Sequence, residues 1–112
     1  MDNTTFMIEV ENSHNRSKKL LIKKEKEYSY GKDRLGQFYR AGSAQAETPH
    51  SALLGMAVKH YTSIVDMAKC PLDFSIKEWD AKIVDLRNYT YLLDALVRDF
   101  KDRTKQSIFA ED

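Results

Sequence analysis

Basic residues at helical spacing are the first feature of this sequence that indicates a binding chemistry. Intervals of three and four residues put four of them on one helix face, namely Arg16, Lys19, Lys23 and Lys26. The next segment adds further basic and aromatic residues, namely Lys32, Arg34 and Arg40 with Tyr30, Phe38 and Tyr39. Such side chains bind phosphate groups or an acidic surface, and the rings stack on bases. The alternative is a solvated face on which Glu25, Glu27 and Asp33 offset the basic charge.

Polar residues that interrupt apolar stripes form the second candidate group, namely His60, Asp85 and Asn88. A carboxylate on a half-buried face needs a partner, because an unpaired buried charge is costly. One explanation is a structural network in which Lys59, His60 or a loop arginine holds Asp85. The other is a divalent metal site that adds Asp66 and Glu25, since hard cations prefer oxygen ligands.

The candidate ligand-binding or partner-binding residues from these groups are Lys19, Lys23, Lys26, Tyr30, Lys32, Arg34, Phe38, Arg40, Lys59, His60 and Asn88. No catalytic residue is assigned, because the sequence contains no phosphate loop, HExxH, GxSxG or cysteine pair. No metal site is assigned under this interpretation, and Asp66 and Asp85 are the candidates for one under the alternative. Cys70 follows a helix C-terminus, where the dipole does not favour a thiolate, so we predict that it is a spectator.

Length and composition indicate one domain over residues 1–112. The 18 basic and 17 acidic residues give a net charge of +1, which does not commit the chain to nucleic acid or an anionic membrane. The single cysteine excludes a disulfide framework within the chain. No apolar run approaches the roughly 20 residues of a membrane span, and no export signal is visible. We therefore expect a cytoplasmic protein without membrane contact.

The first helix and the segment after it must position most of the basic residues. The periodicity predicts a helix from about Phe6 to Tyr28 that lies on the surface, because Ser17 and Lys24 interrupt its thin apolar stripe. A long loop over residues 30–50 is predicted next, with a helical turn around residues 35–40. Loops of this length are often functional, so this one is the first place to look for a site.

The second predicted helix has clear ends. Thr48 can cap it, Pro49 suits its first position, and Pro71 stops it after Cys70. Two adjoining apolar stripes run along this helix, namely Leu53, Ala57, His60, Ile64 and Met67, and Leu54, Val58, Tyr61, Val65 and Ala68. So wide an apolar face predicts that both stripes lie in the core.

The third predicted helix opens at the capping box of Ser75 and Glu78 and runs to about Thr104. Three helices predict an all-α fold, a small antiparallel bundle with the long loop between the first two helices. Residues 1–5 and 106–112 are predicted to be frayed tails. The third helix is longer than such a bundle needs, which predicts a homodimer or larger assembly. Its contact would lie at Leu93, Val97 and Phe100, and packing inside the monomer is the alternative.

Short motifs between Leu20 and Asp99 occur in a distinctive order. They are Tyr28-Ser-Tyr-Gly31, Asp33-Arg-Leu-Gly-Gln-Phe38, Arg40-Ala41, Thr48-Pro49, Ala52-Leu-Leu-Gly-Met-Ala57, Lys59-His60, Ser63-Ile64, Asp66-Met67, Trp79-Asp80, Lys82-Ile83-Val84-Asp85-Leu-Arg-Asn-Tyr89 and Leu92-Leu93. The set resembles small phage-encoded proteins classed among nucleotide-modification-associated domains of unknown function. The resemblance implies a phage or prophage origin, an all-helical fold and the cytoplasm of a bacterial host cell. Members usually carry an aspartate at the position of Ser29 and often an acidic residue at that of Ala81, and both departures argue against a metal site.

The chain also has a looser similarity to the MazG-like helical pyrophosphohydrolases. Those enzymes pair an ExxE motif on one helix with an ExxD motif on the next and hold magnesium on a nucleoside triphosphate. Here the stretch from Lys82 to Asp85 offers only the aspartate, and Glu25 and Glu27 are two residues apart, so they point to different helix faces.

The sequence therefore favours a phage accessory protein that binds rather than catalyses and that needs no cofactor. Its partner would be a nucleotide, a nucleic acid or a host protein such as a component of a defence system. The contacts would come from the basic face of the first helix and the loop over residues 30–40. The first alternative is a divergent metal-dependent nucleotide pyrophosphohydrolase with magnesium at Asp85 and Asp66. A purely structural helical dimer is the second.

Overall fold

The computed structural model describes residues 1–28 and 33–111, without the side chains of residues 26–28 and 106–111. All of the regular secondary structure in these ranges is helical, which confirms the predicted all-α class. The elements in chain order are α1 (Asn3–Tyr28), α2 (Gly36–Ala44), α3 (Pro49–Lys69), a 3-10 turn (Pro71–Asp73) and α4 (Ile76–Glu111). The described part of the chain thus has four α-helices where the sequence predicted three.

Helix α2 corrects the prediction of a long loop, which is wrong for residues 36–44. Gly36 and Gly42 both lie within α2, and Gly42 allows close packing. A Cβ on Gly42 would lie 2.9 Å from both the Glu47 carbonyl oxygen and the Pro49 nitrogen, so only glycine fits without a shift of the backbone there. Phe38 on the same helix is 1% exposed and packs into the core. Burial of this ring outweighs the weak helix propensity of glycine.

The capping signals of the sequence are confirmed. Thr48 Oγ1 accepts a hydrogen bond of 3.1 Å from the Ser51 amide at the start of α3. Ser75 Oγ accepts one of 3.1 Å from the Glu78 amide at the start of α4. Both outer helices extend past their predicted bounds, since α1 begins at Asn3 and α4 reaches Glu111. The 36 residues of α4 span about 54 Å at 1.5 Å per residue, close to the longest dimension of the molecule, 57 Å.

The core lies where α2, α3 and α4 meet. Phe38 of α2, Leu53 of α3 and Leu96 of α4 are each at most 1% exposed and form one cluster. Helix α4 packs against both α3 and α1, and α2 packs on α3. The fold therefore depends on α4, which contacts the core on one side and carries α1 on another.

Helix α1 is held on α4 by polar contacts. Ser17, which interrupts its apolar stripe, is fully buried. Arg87 Nη1 donates hydrogen bonds of 2.9 Å to Ser17 Oγ and 3.1 Å to the Ser13 carbonyl oxygen. Buried polar atoms are costly unless they are paired, so this arginine fixes where α1 crosses α4.

One apolar stripe of α3 is exposed, so the prediction that both stripes lie in the core is wrong for this one. Leu54, Val58, Tyr61 and Val65 are 40–57% exposed, whereas Leu53, Ala57 and Met67 on the other stripe are buried. The reason is that α1 packs on α4 rather than on this side of α3. The sequence pattern of α3 does not reveal which of its faces has a neighbouring helix.

The residues proposed for a contact between chains are partly used inside the chain. Leu93 packs against the core cluster, and the Phe100 ring meets the His50 ring at 4.9 Å in an edge-to-face arrangement. Val97 is 40% exposed. Self-association through this face stays a prediction. None of the helices in the described ranges has the length and hydropathy needed to cross a membrane.

Candidate functional site

A cavity of about 310 Å³ is lined by residues of α1, α3 and α4, and by residues of α2 and of the turn that precedes α2. We call it the His60 cavity. Its polar lining residues are Lys24, Arg34, Gln37, Lys59, His60, Asp85 and Asn88. Its apolar lining residues are Leu20, Leu21, Phe38, Tyr89 and Leu92. This volume lies at the small end of the roughly 300–1,000 Å³ typical of ligand pockets.

The charged side of the cavity is basic. Lys24, Arg34 and Lys59 contribute three positive charges and Asp85 one negative charge, so the lining carries +2 (3 − 1) when His60 is neutral. Arg34 Nη2 donates a hydrogen bond of 3.0 Å to the Leu21 carbonyl oxygen, which holds the guanidinium against α1. A guanidinium carries five N–H donors in a planar fork, so the same group can still bind an anion.

His60 and Asp85 face each other across the contact between α3 and α4. His60 Nδ1 lies 3.7 Å from Asp85 Oδ2, longer than a hydrogen bond. Burial lowers the pKa of His60, and Lys59, Lys82 and Lys24 lower it further, while Asp85 acts in the opposite direction. His60 is therefore neutral at pH 7. Its ring also packs on the Tyr89 ring, with centroids 5.3 Å apart.

Asn88 is the most deeply buried polar residue of the cavity wall. Its side chain lies one helical turn after Asp85 and is 7% exposed. Its Oδ1 atom is buried and has no hydrogen-bond partner among the described residues. Most buried side-chain oxygens have a partner, and leaving one without costs about 1–3 kcal/mol. A molecule in the cavity that donates a hydrogen bond to this oxygen would remove that cost.

A polar cluster fixes α2, and with it Phe38, in place. The Tyr39 hydroxyl donates a hydrogen bond of 2.7 Å to Asp99 Oδ2, and Arg103 Nε donates one of 2.8 Å to the same oxygen. The Arg103 guanidinium lies 4.0 Å above the Tyr39 ring and 3.6 Å from Asp33 Oδ2. Burial, together with the Asp99 carboxylate, raises the pKa of Tyr39 to about 12. Tyr39, predicted to stack on a base, thus ties α2 to α4.

The structure brings together five of the predicted binding residues, namely Arg34, Phe38, Lys59, His60 and Asn88. Lys19 and Lys23 are exposed on α1 and do not line the cavity. Arg40 is exposed and lies over Gly36. Tyr30 and Lys32 lie outside the described residues, as does the side chain of Lys26.

Two further basic residues of α1 differ from the prediction. Arg16 is paired with Asp80 at 3.4 Å. Lys24 was not among the predicted binding residues, although it lines the cavity. The signal for it was present in the sequence, because Lys24 breaks the apolar stripe of α1 at a position that faces another helix.

The acidic residues proposed for a metal do not form one site. Asp66 pairs with Lys69 at 3.4 Å and lines a separate depression between α3 and α4, whereas Asp85 faces His60. Within residues 1–28 and 33–111, no group of three or more histidine, cysteine, aspartate or glutamate side chains is arranged to hold a metal ion.

Comparison of the chain with protein-family models, curated proteins and solved structures finds no match. The function is therefore proposed from the chemistry of the His60 cavity.

Proposed function

We propose that this protein binds a small phosphorylated organic molecule of the nucleotide class in the His60 cavity. The observation that carries the proposal is the combination, in one cavity, of three cationic side chains with Asn88, whose buried Oδ1 atom has no partner among the described residues. Cations alone would suit any anion. The buried amide oxygen adds a requirement for a hydrogen-bond donor, which the organic part of such a molecule can meet.

The basic side supports binding of the phosphate. Arg34 and Lys59 come from different parts of the chain and line the same space as Lys24. Arginine binds phosphate oxygens in a bidentate geometry and lysine binds them as a point charge. A net charge of +2 on the lining (3 − 1) matches the roughly −2 charge of a terminal phosphate at neutral pH.

The apolar side supports binding of a flat ring. Leu20, Leu21 and Leu92 cover this part of the cavity, and Tyr89 presents an aromatic ring that packs on His60. Small-molecule sites typically combine such apolar walls with a few convergent polar groups. The volume suits a single nucleotide better than an extended strand or a protein segment.

The resemblance to phage nucleotide-modification-associated proteins agrees with a nucleotide ligand and suggests an accessory role in an infected cell. The hydrolase alternative has less support, because it needs carboxylates grouped around magnesium and Asp85 stands beside a neutral histidine instead. A binding protein for nucleic acid or an acidic host surface would use the exposed lysines of α1, and it is tested separately in the Discussion.

Isothermal titration calorimetry with nucleoside monophosphates and the matching phosphate-free nucleosides tests the proposal. We expect saturable binding of at least one monophosphate and binding at least tenfold weaker of its nucleoside. Lys59→Glu should abolish binding, because it reverses a charge on the cavity lining. Lys101→Glu changes the net charge equally at an exposed position outside the cavity and serves as the control. Failure of every monophosphate to bind, or equal loss in both variants, would contradict the proposal.

A further inference from the structure

We propose that Asn88 selects the ligand of the His60 cavity by accepting a hydrogen bond from an N–H group of the base. This inference rests on the proposed nucleotide binding and adds which part of the nucleotide meets which residue. It makes Asn88 the specificity-determining residue, whereas the cationic side chains bind the phosphate.

The first step is the isolation of the Asn88 oxygen from hydrogen-bond donors in the described part of the chain. Asn88 is 93% buried (100 − 7), and its Oδ1 atom has no hydrogen-bond partner among the described residues. The neighbouring Arg87 directs Nη1 of its guanidinium to Ser13 and Ser17 on α1. Asn88 lines the cavity while its Oδ1 atom is buried in the cavity wall, so a rotation of the amide would bring this oxygen to a donor on a molecule in the cavity.

The second step is the chemical class of that donor. An amide oxygen only accepts hydrogen bonds, so a phosphate oxygen, which is also an acceptor, is repelled from it. The phosphate is attracted to the lysines and the arginine of the lining, which leaves the sugar hydroxyls and the base as donors to Asn88, and we assign the base. Adenine and cytosine carry an exocyclic amine, and guanine and uracil carry a ring N–H. Any of these groups can donate to Oδ1.

The third step is the effect of a missing donor. An analogue that lacks the donor leaves the buried oxygen unpaired, whereas a ligand that carries the donor removes that cost and therefore binds more tightly. One neutral hydrogen bond of this kind corresponds to a loss of about tenfold or more in affinity. An apolar residue at position 88 removes the acceptor, so the discrimination should disappear.

The test measures the affinities of wild-type protein for two matched ligand pairs by calorimetry. One pair is adenosine monophosphate and purine riboside monophosphate, which lacks the amine. The other pair is cytidine monophosphate and the analogue in which a hydrogen atom replaces the exocyclic amine of the base. We expect the amine-bearing member of at least one pair to bind about tenfold or more tightly. Asn88→Leu, of similar volume, should bind both members of that pair alike, and its melting curve shows whether it is folded.

The outcomes separate this inference from the proposed function. Equal binding of both members by wild-type protein overturns the role of Asn88 and leaves nucleotide binding intact. Tighter binding of the analogue also overturns it, because that result means that the amide nitrogen faces the ligand. Failure of all four ligands, and of guanosine and uridine monophosphates as well, to bind overturns the proposed function together with this inference. The comparison within wild-type protein remains decisive even if Asn88→Leu does not fold.

Discussion

His60 Nδ1 lies 3.7 Å from Asp85 Oδ2 across the contact between α3 and α4, at the wall of the cavity. Despite the adjacent carboxylate, burial keeps the pKa of His60 below its ordinary value of 6.5. His60 is therefore a neutral imidazole at neutral pH, with a defined response to acid.

The first prediction concerns the pH dependence of stability. Because the pKa of His60 is lower in the folded protein than in the unfolded chain, the unfolded chain takes up the proton first as the pH falls. The stability associated with neutral His60 is present above pH 6.5 and is lost progressively as the pH falls below it. The free energy of unfolding by urea, measured at pH 8 and pH 5, should fall less in His60→Gln than in wild-type protein. Asp85→Asn should make the fall steeper, since the carboxylate favours the protonated ring. Equal falls in all three proteins would contradict this account.

The second prediction compares two glycines. Gly42→Ala should destabilise the protein by about 1–3 kcal/mol, because the added methyl group would meet backbone atoms of residues 47–49 that cannot move freely. Gly55→Ala is the matched control within α3, where an added Cβ meets nothing within 4 Å. It should stabilise by about 0.5–1 kcal/mol through helix propensity. Thermal and urea unfolding measure both changes, and a neutral Gly42→Ala would show that α2 does not pack as described.

Gly42 lies in the segment where the prediction from the sequence failed. The local signals at Thr48, Pro71 and Ser75 fixed the ends of α3 and the start of α4, since capping depends on a few neighbouring residues. Helix α2 was predicted only as a helical turn around residues 35–40 within a long loop, because the close approach of the backbone of residues 47–49 to Gly42 exists only in the folded chain.

The candidate site was predictable in its composition but not in its grouping. His60, Asp85 and Asn88 were recognised because each is polar within an apolar stripe, and such residues need a reason in the fold. That all three line one cavity with Arg34 depends on how α3, α4 and the turn before α2 pack together, which no local pattern encodes. The exposure of one stripe of α3 could not be predicted for a similar reason. The apolar pattern of α3 does not show which of its faces lacks a neighbouring helix.

The third prediction separates the cavity from the exposed basic face of α1. Lys19→Glu with Lys23→Glu should leave nucleotide affinity within about twofold, because these exposed side chains do not line the cavity. The same double variant should abolish binding of nucleic acid or an acidic protein, and such binding should weaken steeply with salt. Fluorescence anisotropy with labelled oligonucleotides at two salt concentrations measures this effect. Loss of nucleotide binding in the double variant would move the site from the cavity to α1.

The fourth prediction concerns self-association, which the length of α4 suggested. Multi-angle light scattering should give a dimer or larger species for wild-type protein and a monomer for Val97→Asp, with an unchanged helical circular dichroism spectrum. Leu93→Asp is a poorer test, because Leu93 packs against the core and its replacement would disturb the fold. Val58→Asp, on the exposed stripe of α3, is the control. A monodisperse monomer at high micromolar concentration would remove the prediction, and dissociation by Val58→Asp alone would place the contact on α3.

Titration of ¹⁵N-labelled protein with a nucleoside monophosphate, followed by heteronuclear NMR, tests the central claim most directly because it reports both binding and its location. We predict saturable shifts of the Asn88 side-chain amide and of the backbone amides of Phe38 and Lys59, with those of Lys23 and Lys101 unchanged. An absence of shifts with every monophosphate, or shifts confined to the exposed face of α1, would contradict a nucleotide site in the His60 cavity.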